Sequence, residues 1–286
     1  MENAVAVKKT KEEVLAELAF PVEKRQLFCT RQDGMAKMVQ NRMAVARTDN
    51  DEVVGIVSDR YKIINHGEVL DKPLDTLIAE GFEINGSYLH KFGSTVLVDL
   101  TSKFELDMLG EKFKMRIFLT NSYDATSSFR ARLGIWRQIC KNGMGTYDGV
   151  DGSASRVIHT GDAEVKKDYG QLIIAQKESF IQRFTNQMAA LGGIKIGNDE
   201  TAKAVIARLM VGEAAQKAIF EAYKMPINYS DTMYGIFNGV TYHFTQKDLN
   251  RTNKLTEVMH NEVFANSVVP TLLKVGEGLL VNGKVN

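Results

Sequence analysis

Residues 120–144 read TNSYDATSSFRARLGIWRQICKNGM. The first part of this stretch is rich in Asn, Ser, Asp and Thr, whose side chains bond nearby backbone groups and favour turns. From Ser128 to Cys140 polar and apolar residues largely alternate, which is the period of a strand with two chemically different faces. A Lys-Asn-Gly sequence then ends the pattern. The stretch therefore predicts a polar turn that leads into one long strand.

Other strand patterns lie on the N-terminal side of this stretch. Alternating or apolar runs bounded by turn residues occur at 42–48, 53–57, 82–90, 94–100 and 112–120. Segment 112–120, KFKMRIFLT, is the clearest, with cations at every second position and apolar residues between them. Segment 20–41 is mixed in character, and it is interpreted as irregular or partly helical. The sequence thus predicts strands from about residue 40 to residue 140.

Helical periodicity dominates after residue 160. Apolar residues three and four apart predict a long helix from Asp162 to Leu191, and further helices at 198–210, 212–225, 230–246 and 253–275. Short helices are predicted at 10–19, with a capping box formed by Thr10 and Glu13, and around 69–78. Segregated strands and helices indicate an α+β fold, in which an antiparallel sheet of the N-terminal half packs against helices of the C-terminal half.

Three consecutive parts are predicted from this order of elements. Residues 1–40 form an N-terminal helix or arm, residues 41–192 an α+β core domain, and residues 193–286 a helical C-terminal region.

Composition limits the classes of function. The 286 residues are 44% hydrophobic and 25% charged, as in ordinary globular proteins. The net charge of +1 means that any nucleic-acid surface must come from local clustering. The two cysteines are far apart, which predicts a reducing, cytoplasmic setting without a zinc site. No apolar run reaches the roughly 20 residues that span a bilayer, and no motif indicates a metal or another cofactor.

One candidate site is a basic sheet face. If the strands at 112–120 and 128–140 pair, their alternation places five cations and the only tryptophan on one face: Lys112, Lys114, Arg116, Arg130, Arg132 and Trp136. Residues 103–142 hold eight basic and four acidic side chains, a net charge of +4. Cations beside an aromatic ring are what single-stranded DNA needs, for phosphates and for base stacking. The alternatives are an ordinary solvated sheet face, or a face that a helix covers.

Two further candidates involve the polar loop. Asn121, Ser122, Asp124 and Thr126 either form a simple turn or hold a phosphate or a partner chain through hydroxyl and backbone groups. A weaker hypothesis is a hydrolase, in which Cys140 pairs with His159 and Asp124 orients the histidine.

Three blocks together are similar to the phage- and plasmid-borne family called domain of unknown function 932. They are VVGIVSDRYKIINHGEVLD (53–71), LTNSYDATSSFRARLGIWRQICKNGM (119–144) and SRVIHTGD (155–162), and the resemblance covers about residues 40–190. The motif residues that match are Arg60 and Tyr61 after a strand, the Asn-Ser-x-Asp block, and His159 before the long helix. Ala125 and Thr126 stand where the family has Gly and Ser.

The resemblance implies a mobile-element setting and leaves the activity open. The order of elements is also similar to the β-β-β-α core of single-strand annealing proteins, which often form rings. We therefore expect a non-enzymatic protein that binds single-stranded DNA in recombination or replication, with strand annealing by a homo-oligomer as an extension. The alternative is a protein-binding module, such as a counter-defence or phage structural factor, without affinity for nucleic acid.

Overall fold

The computed structural model describes residues 9–108, 110–137, 148–149, 156–157, 169–248 and 267–280. The elements follow in the order α1 (Lys11–Glu17), β1 (Val22–Thr30), β2 (Ala36–Arg47), β3 (Val53–Ser58), α2 (His66–Ala79), β4 (Phe82–His90), β5 (Thr95–Ser102), β6 (Leu106–Met108), β7 (Glu111–Ser122), β8 (Phe129–Arg137), β9 (Asp148–Gly149), β10 (Arg156–Val157), α3 (Tyr169–Gly193), α4 (Asp199–Ala207), α5 (Glu213–Lys224), α6 (Met233–Asp248) and α7 (267–280).

The strands lie in the N-terminal half of the chain and most helices in the C-terminal half, which confirms the predicted α+β class. One sheet has three strands in the order β1-β2-β3. The other has seven, with the path β10-β8-β7-β5-β4, while β6 pairs with β7 and β9 with β8. The pairs β1–β2, β2–β3, β4–β5, β6–β7 and β8–β10 are antiparallel. In the described ranges no helix is long and apolar enough to cross a membrane.

The chain forms two compact units that interleave in sequence. The described residues of the first are 9–103, 117–132, 149, 156–157 and 169–176. Those of the second are 104–108, 110–116, 133–137, 148, 177–248 and 267–280. The predicted parts 1–40, 41–192 and 193–286 are consecutive segments, whereas each compact unit is assembled from several separated segments.

The first unit has an apolar core that its strands fill by alternation. Six buried side chains form a cluster there: Phe20, Val45, Val54, Val57, Tyr61 and Tyr123. Helix α1 begins at the capping box predicted from the sequence, because Thr10 accepts from the backbone N–H of Glu13 and Glu13 accepts from that of Thr10. Helix α2 continues through Pro73, which is buried within it.

Strand β7 is buried on both faces over most of its length. Phe113, Met115 and Ile117 are buried as the alternation predicts, but Arg116 and the residues from Ile117 to Ser122 are buried as well. The hydrogen-bonded neighbours of β7, which are β8 and β5, lie at its two edges, so the second face is covered by segments other than these sheet neighbours. Alternation in the sequence therefore identified the strand but not the burial of its second face.

The interpretation of residues 20–41 as irregular or partly helical is wrong. This segment contains β1 and the first part of β2, which pair as an antiparallel hairpin. The turn is formed around Asp33-Gly34, where Gly34 has a φ of +80° and Asp33 accepts from the backbone N–H of Met35 at 3.0 Å. An Asp-Gly pair of this kind is a strong hairpin signal in a sequence.

The helices of the C-terminal half agree with the apolar periodicity. Helix α3 buries Ile173, Phe180, Phe184 and Met188, and it ends at Gly193, two residues beyond the predicted end at Leu191. Asn198 caps α4 by accepting from the backbone N–H of Thr201 at 2.8 Å. The predicted start of α3 at Asp162 and residues 253–266 of the last predicted helix lie outside the described residues, and α7 occupies 267–280.

Candidate functional site

The blocks 53–71 and 119–144 come together in the first unit around a buried histidine. His66 begins α2 and is fully buried, and its ring stacks on that of Tyr123 with centroids 3.9 Å apart. The backbone N–H of His66 donates to the Tyr123 hydroxyl at 3.0 Å. The Tyr61 hydroxyl donates to the backbone oxygen of Ser122 at 2.8 Å. We call Tyr61, His66, Asn121, Ser122 and Tyr123 the His66 cluster.

Hydrogen bonds define the chemical form of the histidine. The Asn121 amide nitrogen lies 3.0 Å from the carbonyl oxygen of Ile64 and 2.9 Å from Nδ1 of His66. Because the carbonyl can only accept, the amide nitrogen faces both partners and Nδ1 is an acceptor. Nε2 of His66 lies 2.9 Å from the carbonyl oxygen of Gly93, so it carries the proton and donates. Both ring nitrogens of the neutral imidazole are thereby engaged.

Both tyrosines of the cluster are held in the protonated form. Burial raises the pKa of Tyr61 far above its ordinary value, and the nearby Asp124 carboxylate raises it further. Burial raises the pKa of Tyr123 to about 12. These hydroxyl groups therefore act as hydrogen-bonding groups in the core, and the motif residues around them tie strand β7 to the segment that leads into α2.

The loop after β7 closes on itself through side chains. Asp124 accepts from the backbone N–H of Thr126 at 3.0 Å and from its hydroxyl. Ser122 donates to the carbonyl of Ser127 at 2.6 Å and accepts from its N–H at 3.0 Å. Partial burial alone would raise the pKa of Asp124, but the hydrogen bonds from Thr126, with smaller contributions that include the Lys91 charge, together hold that pKa below its ordinary value. Ala125 has a φ of +60°, so the left-handed turn forms without the family's glycine.

Strand β3 contacts this loop at a glycine. A Cβ on Gly55 would lie 2.5 Å from the carbonyl oxygen of Tyr123 and 2.8 Å from the Cα of Asp124. Such contacts with backbone atoms leave no room for a side chain, so only glycine fits. The loop predicted to hold a phosphate or a partner chain is thus bonded mainly within the protein, and its binding role stays a prediction.

The residues of the predicted basic face differ in their exposure. Lys112 is exposed and pairs with Asp107, with Nζ 2.7 Å from the carboxylate. Lys114 and Arg130 are half-buried, whereas Arg116 and Arg132 are buried. The two buried guanidinium groups are therefore not accessible to DNA phosphates in this structure, although β7 and β8 do pair. The side chain of Trp136 lies outside the described part of the protein, and its stacking role stays a prediction.

Arg137, which interrupts the predicted alternation, anchors a buried network in the second unit. Its guanidinium donates to both carboxylate oxygens of Glu111, to the Asn228 side chain at 3.2 Å and to the Ile227 carbonyl at 2.9 Å. The hydroxyl of Tyr234 donates to the same carboxylate at 2.7 Å. Burial and the adjacent Glu111 raise the pKa of Tyr234 well above its ordinary value. The network fixes β7, β8 and the segment between α5 and α6.

A more accessible surface is the distal part of the β1–β2 hairpin, residues 27–42, which we call the arm. The β1–β2 pairing is interrupted between Gln26↔Met43 and Phe28↔Met38. Strand β3 pairs with β2 only from Arg42 onward, so most of the arm has no third strand beside it. Three large apolar side chains are exposed on it: Phe28 at 59%, Met35 at 60% and Met38 at 49%. Sequence reasoning missed this surface, although the Asp-Gly turn could have indicated the hairpin.

The hydrolase hypothesis depends on residues outside the described ranges. Cys140 and His159 both lie there, so the distance between them is not defined, and Asp124 is the only member of the three that is described. Arg60 is exposed in the turn after β3, next to the buried Tyr61. Within the described part of the chain, no group of three or more His, Cys, Asp and Glu side chains could hold a metal ion.

Comparison with known proteins gives a family and no function. The model of a family described as a domain of unknown function, number 932, matches residues 53–264, which is more than half of the chain. Neither the curated proteins nor the solved structures contain a match to this sequence. The matched range includes the whole His66 cluster and the loop that follows it. The chain therefore belongs to the domain of unknown function 932 family.

Proposed function

We propose that the protein binds single-stranded DNA and that the arm supplies the main contacts. The observation that carries this proposal is an exposed aromatic ring, Phe28, on a hairpin that also presents unpaired cations. Proteins that bind single strands without strict sequence preference combine a cationic track for the backbone with rings on which bases stack. The arm has both components on one short ribbon.

The charge of the hairpin supports this proposal. Residues 22–47 contain six basic and two acidic side chains, a net charge of +4 in a chain of +1. Three of these cations form ion pairs, Arg25 with Asp51, Arg47 with Asp49 and Arg31 with Asp33. Lys24 donates to the backbone oxygen of Asp59 at 2.8 Å. Lys37 and Arg42 are exposed, and neither forms an ion pair with a described residue. They are available for phosphate groups, because no carboxylate in the described part of the chain competes for them.

The apolar side chains of the arm fit the same proposal. Phe28 and Met38 are direct cross-strand partners, so they occupy the same side of the ribbon. A base that stacks on Phe28 would cover apolar surface that water now contacts. By alanine substitution, such stacking contributes about 1–3 kcal/mol per base. Lys112, Lys114, Arg130 and Trp136 remain predicted contributors, and a homo-oligomer that anneals strands in a phage or plasmid would place several arms along one strand.

The alternative is a protein-binding module that uses the same arm. The exposure of Phe28, Met35 and Met38 on one hairpin favours it, because clustered apolar side chains on a surface often mark a protein interface. In that case the arm would contact a partner through apolar burial, and oligonucleotides would not bind.

The test is fluorescence anisotropy of a labelled oligothymidine at low salt. Phe28→Ala is expected to weaken binding about 5-fold to 150-fold, which corresponds to the loss of one stacked base. The matched control is Phe92→Ala, because Phe92 is an exposed ring (70%) outside the arm. Equal affinities of the Phe28 and Phe92 variants would show that the arm does not supply the stacking contact. If the wild-type protein binds no oligonucleotide, the protein-binding alternative is favoured.

A further inference from the structure

The base of the arm contains an open cavity where the β1–β2 ladder is interrupted. Between the pairs Gln26↔Met43 and Phe28↔Met38, a single residue of β1 faces four residues of β2, residues 39–42. The cavity has a volume of about 330 Å³ and is lined by eight residues: Gln26, Met38, Val39, Gln40, Asn41, Arg42, Met43 and Asp59. This is the small end of the range for ligand sites, about 300–1,000 Å³, and suits one base or nucleoside.

The bulge in β2 places polar side chains at the cavity. Asn41 has a φ of +58°, the left-handed conformation that shapes the bulge. Gln26 closes the bulge by donating from its amide nitrogen to the carbonyl of Val39 at 3.2 Å. The side-chain amides of Gln40 and Asn41 make no hydrogen bond with any described residue, and both are exposed. Two adjacent amides are therefore available to a ligand.

The apolar residues of the cavity suit a flat aromatic ligand. Met38 and Met43 flank the bulge on β2, and thioether groups make favourable contacts with aromatic rings. Phe28 is the cross-strand partner of Met38, so a strand whose base stacks on Phe28 passes next to the cavity. Arg42 lines the same cavity and offers a cation for the phosphate of the nucleotide that enters.

We infer that this cavity seats one base of the bound strand and prefers adenine, an inference that rests on the proposed DNA-binding function. A side-chain amide bonds adenine at two points, with its oxygen accepting from the amino group and its nitrogen donating to a ring nitrogen. Asp59 also lines the cavity, and its carboxylate would accept from an amino group and disfavour the carbonyl oxygen of thymine or guanine. Cytosine also has an amino group, but its smaller ring fills less of the cavity.

The experiment compares oligothymidine with the same oligonucleotide carrying a single central adenine, cytosine or guanine. The wild-type protein is expected to bind the adenine version about fivefold or more tightly than oligothymidine. The variant Gln40→Ala/Asn41→Gly removes both amides while glycine keeps the left-handed backbone. It should lose the preference, so that it binds the adenine version and oligothymidine with equal affinity. Gln182→Ala, which removes an exposed amide of α3 outside the arm, should keep both the adenine preference and the affinity for oligothymidine.

The outcomes separate the two proposals. If the wild-type protein binds oligothymidine tightly without preferring adenine, the base-pocket inference is overturned and the proposed function stands. The same conclusion follows if the adenine preference persists in Gln40→Ala/Asn41→Gly. Failure of the wild-type protein to bind any oligonucleotide overturns both. A second variant, Asp59→Asn, keeps the shape of the side chain and should lose discrimination against guanine, because an amide can donate to the guanine carbonyl. Unchanged discrimination in Asp59→Asn would contradict the assigned role of the carboxylate.

Discussion

The amide nitrogen of Asn121 donates to Nδ1 of His66 at 2.9 Å and to the carbonyl oxygen of Ile64 at 3.0 Å. Both partners are in the interior, so one side chain satisfies two acceptors that water does not reach. This contact joins strand β7 to the segment that starts α2, and it lies where two of the family's sequence blocks meet.

Asn121→Ala is therefore expected to destabilise the protein strongly. Removal of the side chain breaks two buried hydrogen bonds, which costs about 2–4 kcal/mol in the free energy of unfolding. Urea denaturation followed by circular dichroism measures the change. Gln32→Ala serves as the control, because it removes an exposed amide. A loss below about 1 kcal/mol in Asn121→Ala would contradict the assigned role.

Gly55 provides a test of the close approach between β3 and the loop after β7. Gly55→Ala would place a methyl group 2.5 Å from the carbonyl oxygen of Tyr123, so the backbone must shift. We expect a loss of about 1–3 kcal/mol in the free energy of unfolding. The matched change is Gly67→Ala in α2, where the added methyl group meets no atom within 4 Å. That variant should be neutral or more stable, because alanine favours helices.

The Arg137–Glu111 pair should be among the costliest interactions to break. Both side chains are largely buried, with 7% and 18% of their surface exposed. Arg137→Ala leaves the Glu111 carboxylate buried without its cation, and such a change typically costs about 3–5 kcal/mol. Lys112→Ala is the control, because Lys112 follows Glu111 in β7 and forms an exposed ion pair with Asp107. Thermal denaturation of the two variants should rank them clearly, and similar midpoints would argue against a structural role for the buried pair.

The two strands that carry these salt bridges, β7 and β8, illustrate how much of the fold the sequence could predict. Alternation in 112–120 and 128–140 identified both strands and their apolar faces. It assigned the cations to an exposed face, because most antiparallel sheets leave one face to water. Arg116 and Arg132 are nevertheless buried, since the burial of the second face depends on segments distant in the sequence. Arg137 broke the alternation, and its partners Glu111 and Asn228 could not be inferred from local pattern.

The arm was missed for the opposite reason. Residues 27–42 are exposed on both sides of the ribbon, so no apolar face imposes a period of two on the sequence. The capping box at Thr10 was predicted correctly, because caps depend on residues three or fewer positions apart. Helix caps could therefore be predicted from a few neighbouring residues. The cavity at the arm could not, because it depends on the pairing register between β1 and β2.

Asp124 should make the stability of the protein depend on acid pH. Its pKa is lowered in the folded state, chiefly because the hydrogen bonds from Thr126 outweigh the effect of burial. A lowered pKa contributes stability that is complete above the ordinary value of 3.8 and is lost as pH falls through the folded value. The difference in unfolding free energy between the wild-type protein and Asp124→Asn should therefore be constant from neutral pH down to mild acid and should narrow below pH 3.8. A constant difference throughout would contradict the assigned hydrogen bonds.

The most direct test of the central claim is the salt dependence of oligothymidine binding. For single strands, the slope of log affinity against log salt concentration is about −0.7 for each phosphate that the protein neutralises. Lys37→Ala/Arg42→Ala should therefore reduce the slope by about 1.4 and weaken binding at low salt. The matched control is Lys195→Ala/Lys217→Ala, which removes two exposed cations outside the arm. A binding curve without salt dependence, or equal slopes for the two double variants, would contradict the account.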